Sequence, residues 1–184
     1  MNIEIISGSP RKESVTVRLA VYLQQHLQAA LPGANVGIID MRQWQLGSFN
    51  HVYTTPEHAP AEHTILAQRM HAANAFVIVT PEYNGTYTAE VKNLFDRFPK
   101  QSRKPFGIVT ASTGPLGGAR STQALLLLVP ALGGIASPQM LITPQVDKKF
   151  SADGELVDAG FQKSIDVFTH DYIWLVQHLQ PVVA

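Results

Sequence analysis

The sequence contains no cysteine. That excludes disulfides, thiol catalysis and thiolate zinc sites, and it leaves the compartment open. Net charge is missing too, since 14 Lys and Arg balance 14 Asp and Glu. Nothing therefore steers the chain toward nucleic acid or an acidic membrane surface. The same neutrality counts against a small electron shuttle that finds partners through a strongly acidic face. Long apolar runs are also absent. The longest, residues 124–136, is interrupted by Pro130, Gly133 and Gly134 and falls short of the roughly 20 residues that span a bilayer. No basic stretch leads into an apolar one at the start, so no secretory signal is read and a soluble cytoplasmic protein is expected. There is no internal repeat and no low-complexity segment.

What is present is a packed globular composition: 184 residues, 45% hydrophobic and 15% charged. That length fits one domain, residues 1–184, with a single substantial core. Ile3-Glu4-Ile5-Ile6 reads as a first strand that runs into the turn cluster Ser7-Gly8-Ser9-Pro10. Thr16, Ala20, Leu23, Leu27 and Ala30 then recur at helical spacing until Pro32-Gly33. Val36-Gly37-Ile38-Ile39 is a second strand, and residues 40–60 read as a long loop.

The spacing predicts a helix over residues 62–73, and Ala75–Thr80 is apolar throughout, as a parallel strand covered on both faces should be. Helices follow at about 88–98 and 119–132, with strands at 105–110 and 136–142. Residues 145–158 read as a loop. Phe161, Ile165, Phe168, Tyr172, Leu175 and Leu179 mark a last helix. Five strands alternating with five helices imply a three-layer α/β sandwich with a five-stranded parallel sheet. Right-handed crossovers and the loop after the first strand favour the order 2-1-3-4-5, with a ligand crevice at the carboxyl ends of strands one and three.

Three polar, glycine- and proline-rich loops converge on that edge. The first, Ser7 through Thr16, leads into a helix N-terminus whose free amides suit a phosphate. Ser9, Ser14 and Thr16 add hydroxyls and Arg11 a charge-assisted donor. It is neither a Walker loop nor a dinucleotide fingerprint, so a terminal monoester fits best; an ordinary turn with a serine N-cap is the alternative. The second loop, Pro81-Glu82-Tyr83-Asn84-Gly85-Thr86-Tyr87-Thr88, offers tyrosine faces and exposed amides to a planar ring; otherwise it is a surface loop with a buried tyrosine. The third, Ser112-Thr113-Gly114-Pro115-Leu116-Gly117-Gly118-Ala119-Arg120, lets backbone approach a ligand closely. It is also readable as a tight strand-to-helix turn, with Arg120 serving an anion or a subunit contact.

Together the loops resemble the NADPH-dependent FMN reductase family of flavodoxin-like proteins, which includes quinone, chromate and azo-compound reductases. The resemblance is carried by Gly8-Ser9-x-Arg11-x-x-Ser14-x-Thr16, by Pro81-Glu82-Tyr83-Asn84-Gly85-Thr86 with Lys92-Asn93, and by Ser112-Thr113-Gly114-x-x-Gly117-Gly118-x-Arg120. It implies that Ser9, Arg11, Ser14 and Thr16 hold the FMN phosphate. Pro81, Glu82, Tyr83 and Asn84 would line the isoalloxazine, and Ser112, Thr113 and Gly114 would meet its other side. It implies a homodimer or homotetramer, with the apolar helix around residues 125–128 and Arg120 near the interface. Three positions depart from the family pattern: Thr16 in place of asparagine, Thr88 near a usual proline and Arg97 near a usual tryptophan. The last two are expected beside the flavin rim, where they bear on nicotinamide and acceptor preference.

The activity implied is hydride transfer from NADPH or NADH to FMN, then reduction of a small-molecule acceptor, with ping-pong kinetics because 184 residues leave no second nucleotide domain. No side chain need act as acid or base, so no catalytic residue is named. A non-enzymatic flavodoxin-type carrier is the principal rival. A hydrolase lacks a Gly-x-Ser-x-Gly elbow. His58 and His63, beside Glu57 and Glu62, lack metal-binding spacing and read as solvated loop and helix-face residues. Asp166 and His170, four apart, read as a surface pair.

Overall fold

The computed structural model describes residues 1–179. The one-domain expectation extends to residue 184, so its last five positions lie outside the described residues. In chain order the elements are β1 (Asn2–Ser7), α1 (Thr16–Ala30), β2 (Asn35–Asp40), α2 (Thr64–Ala72), β3 (Ala75–Thr80) and α3 (Ala89–Asp96). Then come β4 (Pro105–Ala111), α4 (Ala119–Ala131), β5 (Ile135–Thr143), α5 (Val146–Lys149) and α6 (Gln162–His178). The five strands are parallel, in the order β2-β1-β3-β4-β5, as the sequence predicts.

β3 lies at the centre, and every one of its residues is buried. Alternation sends Ala75, Val77 and Val79 to a core shared with α1 and α6, while Phe76 and Ile78 enter a second core under α2, α3 and α4. That is why its sequence is an unbroken apolar run. Glu4 of β1 is buried because Arg69 of α2 reaches it with a two-pronged bond, Nε to Oε1 at 3.0 Å and Nη2 to Oε2 at 2.5 Å.

Three expectations need correction. Residues 145–158 are not a plain loop: they form α5 and an antiparallel bridge between Phe150 and Leu156, anchored by burial of Val146 and Phe150. The sheet therefore carries six α-helices among the described residues, not five. The helix expected over residues 62–73 opens as a 3-10 turn, Ala61–His63, and becomes α-helical only at Thr64. Asp166 does not pair with His170; it accepts from Gln162 Nε2 at 2.7 Å, while His170 Nδ1 lies 3.0 Å from Asp171 Oδ1.

The long segment after β2 is fixed by Arg97, which is only 2% exposed. Its guanidinium donates to the carbonyls of Leu46, Gly47 and Ser48 and to the Tyr53 hydroxyl. Tyr53 in turn meets His63 Nδ1 at 3.2 Å through its hydroxyl and His71 Nε2 at 3.0 Å through its carbonyl. Arg97 is thus a structural hub beneath this segment and not a rim residue of the crevice.

Candidate functional site: a cleft at the carboxyl edge of the sheet

The loops after β1, β3 and β4 close around one cleft of about 260 Å³. Ser9, Arg11, Glu13, Ser14, Val15 and Thr16 form one side; Pro81, Glu82 and Tyr83 form the second; Ala111, Ser112 and Thr113 complete it. Nine of the eleven residues predicted from sequence therefore share a cavity wall. The other two, Asn84 and Gly114, sit on the same loops but do not line it.

Each loop is held from below. In the first, the Gly8 amide donates to Val79 O at 2.8 Å, and the Thr88 hydroxyl donates to Gly8 O at 2.6 Å. A side chain at Gly8 would strike Val91 Cγ2 at 2.5 Å, so the close approach requires glycine. The same Thr88 hydroxyl accepts from Val91 N at 3.4 Å as the N-cap of α3. Thr88 is fully buried, which corrects its expected place at the rim. From the other side, Asp40 pairs with Arg42 at 2.5 Å and pushes the guanidinium pKa above its usual range through their hydrogen bonds. Arg42 Nη1 passes that support on to the Lys12 carbonyl at 3.3 Å.

The second loop is a tight turn. Tyr83 N donates to Thr86 O at 2.8 Å and Thr86 N to Tyr83 O at 3.2 Å, around Asn84 and Gly85 with φ of 51° and 88°. Asn-Gly is the pair that tolerates two left-handed residues in succession. Asn84 is exposed at its tip. In the third loop Gly117 and Gly118 have φ of 61° and 79°, and a side chain at Gly117 would meet Pro144 N at 2.6 Å. Beside these loops, desolvation raises the Tyr87 hydroxyl above its ordinary pKa of 10.0, so it stays neutral.

The donors suit a phosphate monoester carrying a flat ring. Ser14 Oγ and Tyr83 Oη are buried without a partner, a state that costs about 1–3 kcal/mol per group unless a ligand completes it. α1 begins at Thr16, and its N-cap Val15 supplies no side-chain bond to the first turn; the Arg18 amide turns back to Val15 O at 3.2 Å, and the amides ahead of it face the side where an anion would sit. Arg11 stands with its guanidinium 4.7 Å from the centre of the Tyr83 ring, bridging the first and second loops. It is the one cation on the lining, against Glu13 and Glu82. The lining thus offers an anion mainly amides and hydroxyls, with a single charged donor.

The model of NADPH-dependent FMN reductases matches residues 1–147. The chain belongs to that family. Its cofactor is accordingly FMN, its hydride donor NAD(P)H, and its class oxidoreductase. The FMN-dependent NADPH-azoreductase of Staphylococcus aureus is 27% identical to the chain over 180 residues, covering 95% of this chain and 94% of that protein. Among solved structures, the flavoenzyme NAD(P)H:(acceptor) oxidoreductase FerB from Paracoccus denitrificans has a TM-score of 0.68 at 23% identity, with 97% of each chain covered. A flavodoxin mutant from Pseudomonas aeruginosa has a TM-score of 0.55 at 19% identity, again with 97% of each covered. At those identities the structural likeness speaks for the flavodoxin-like fold.

The cleft lining contains no histidine, and among the described residues no group of His, Asp and Glu is placed to hold a metal ion. Sequence reasoning missed Asp40, Arg42 and the supporting roles of Thr88 and Arg97. For Thr88 a signal exists, a threonine just before the helix that opens at Ala89. Arg97 and Arg42 act on carbonyls far along the chain, and no local pattern announces them.

Proposed function

We propose that residues 1–184 act as one FMN-binding domain whose enzyme reduces a small-molecule acceptor (a quinone, a flavin or an azo compound) with NAD(P)H by a ping-pong mechanism. Bound FMN supplies the hydride relay between nicotinamide and acceptor. Ser9, Ser14, Thr16 and the first amides of α1 hold its phosphate, with Arg11 as the charged donor. Pro81, Glu82, Tyr83 and Asn84 flank one side of the ring, and Ser112, Thr113 and Gly114 the other. The observation that carries this assignment is the meeting of two buried, partnerless hydroxyls, Ser14 Oγ and Tyr83 Oη, in a cleft made by all three loops.

An azo acceptor is suggested by the Staphylococcus aureus relative. Ping-pong order is supported by the length of the chain, since 184 residues leave no second nucleotide domain and nicotinamide and acceptor must use the flavin in turn. A cytoplasmic homodimer or homotetramer is part of the same reading. α4 presents Leu127 at 77% exposure, and the loop before it Leu116 at 61%, apolar surface that a second copy would cover.

Initial-rate measurements with NADPH and then NADH, varied against menadione and against an azo dye, test the proposal. Parallel double-reciprocal lines are expected. Intersecting lines would show both substrates bound together and would overturn the ping-pong order.

A further inference from the structure

α4 has an unusual start. Its N-cap is Gly118, in the left-handed region at φ 79°, with no side chain to offer the first turn. No acidic residue stands in that turn either. The Ala119 amide donates to Leu116 O and the Ser121 amide to Gly118 O, each at 3.0 Å, which leaves the Arg120 amide and the positive end of the dipole to be met. The missing group comes from another loop. Glu82, 38 positions earlier, accepts from the Arg120 amide at 3.1 Å through Oε2, while Oε1 lies 3.5 Å from Arg120 Nη1. The Arg120 side chain is 71% exposed and that of Glu82 16%. The bond to the backbone amide uses a donor already fixed by the helix, whereas the ion pair must order an exposed arginine side chain, and exposed pairs contribute little.

We infer that Glu82 is a positioning residue: its carboxylate caps α4 in trans and thereby locks the loop after β3 to the start of α4, setting the separation of the two walls between which the flavin ring is proposed to lie. Gly118 sits at the junction, where an added Cβ would come 3.5 Å from Glu82 N and 3.2 Å from Thr110 Cβ. The same contact disposes of an electrostatic difficulty. Glu82 lies on the lining of a cleft that must accept a phosphate dianion, and its negative charge is directed to a helix N-terminus instead. This inference rests on the FMN reading above, since the wall it fixes is the proposed ring wall.

Three variants test it, through FMN affinity from quenching of flavin fluorescence and through the thermal midpoint of the FMN-free protein. Glu82→Ala removes the cap and should weaken FMN about five- to thirtyfold, as loss of an N-cap does. Glu82→Gln keeps an acceptor oxygen and should return affinity to within about threefold of the parent. Arg120→Ala leaves the backbone donor in place and should also stay within about threefold. Parent-like affinity in Glu82→Ala would overturn the inference. So would a loss in Arg120→Ala or Glu82→Gln as large as in Glu82→Ala, because the ion pair would then be the lock. If Glu82→Ala is not recovered folded, the other two variants decide by the same criteria. If the parent itself binds no FMN, the reading of the site fails, while the cap remains testable: Glu82→Ala should lower the FMN-free midpoint and Glu82→Gln restore it.

Discussion

The sheet has a cavity at each end, and the two differ in kind. At the amino edge a space of about 490 Å³ is lined by Met1, Asn74, Arg103, Lys104, Ile135 and Val176, among others. The one at the carboxyl edge, at about 260 Å³, is roughly half that size. The larger cavity is framed by strand starts and the end of α6. The smaller is framed by three loops that each leave a strand and enter a helix N-terminus, and it holds buried hydroxyls with no internal partner. In a parallel sheet the helix N-termini gather at the carboxyl edge, so amide donors and dipole ends collect there whatever the volume. Chemistry, not capacity, distinguishes the two ends.

This contrast can be broken from either side. The largest effect on stability belongs to a residue that lines neither cavity. Arg97→Ala removes the guanidinium from the Leu46 and Ser48 carbonyls and empties a buried site, and should destabilise the protein by about 3 kcal/mol, read as a fall in the urea midpoint. FMN affinity of the folded fraction should change less than about threefold. A larger change would mean that the segment after β2 belongs to the site.

Arg11→Ala removes the one cation of the carboxyl-edge cleft. It should weaken FMN about ten- to a hundredfold, the worth of a charged hydrogen bond of roughly 1.5–3 kcal/mol. Riboflavin, which lacks the phosphate, should lose much less. Equal losses for both would place the phosphate away from Arg11.

Thr88→Val keeps the shape and deletes both the cap of α3 and the bond to Gly8 O, at a cost of about 1 kcal/mol. The thermal midpoint should drop accordingly, and FMN affinity should fall modestly because the first loop loses its support.

Lys104 at the amino edge supplies the smallest effect and the control. Burial lowers its ammonium pKa below the ordinary 10.5. Between the lowered value and 10.5 the unfolded chain therefore binds more protons, so this group's contribution to stability rises with pH across that window. Lys104→Met should abolish the rise in a series of urea midpoints and leave FMN affinity untouched. An altered affinity would move the site toward the amino edge.

How much of this was legible in the sequence depended on range. Ala75–Thr80 announced a doubly covered central strand because apolarity is a local property, and the loops after β1, β3 and β4 announced a common edge once the crossover rule placed them. Nine of the predicted residues meet there. Asn84 illustrates the limit. Asn-Gly signals a left-handed turn, and the turn puts Asn84 at an exposed tip. The contacts that hold the loops in place, Glu82 to Arg120 and Arg97 to residues 46–48, join positions 38 to 51 apart. No spacing rule reaches that far. Asp166 and His170 failed for the opposite reason: two neighbours, Gln162 and Asp171, competed successfully for the same groups.

The central claim, that the carboxyl-edge cleft binds FMN, is tested most directly by titrating FMN into the FMN-free parent, Arg11→Ala and Lys104→Met side by side and following the quenching of flavin fluorescence. Saturable one-to-one binding in the parent and in Lys104→Met, weakened about ten- to a hundredfold in Arg11→Ala, is the predicted result. Parent-like binding in Arg11→Ala with a loss in Lys104→Met would contradict it.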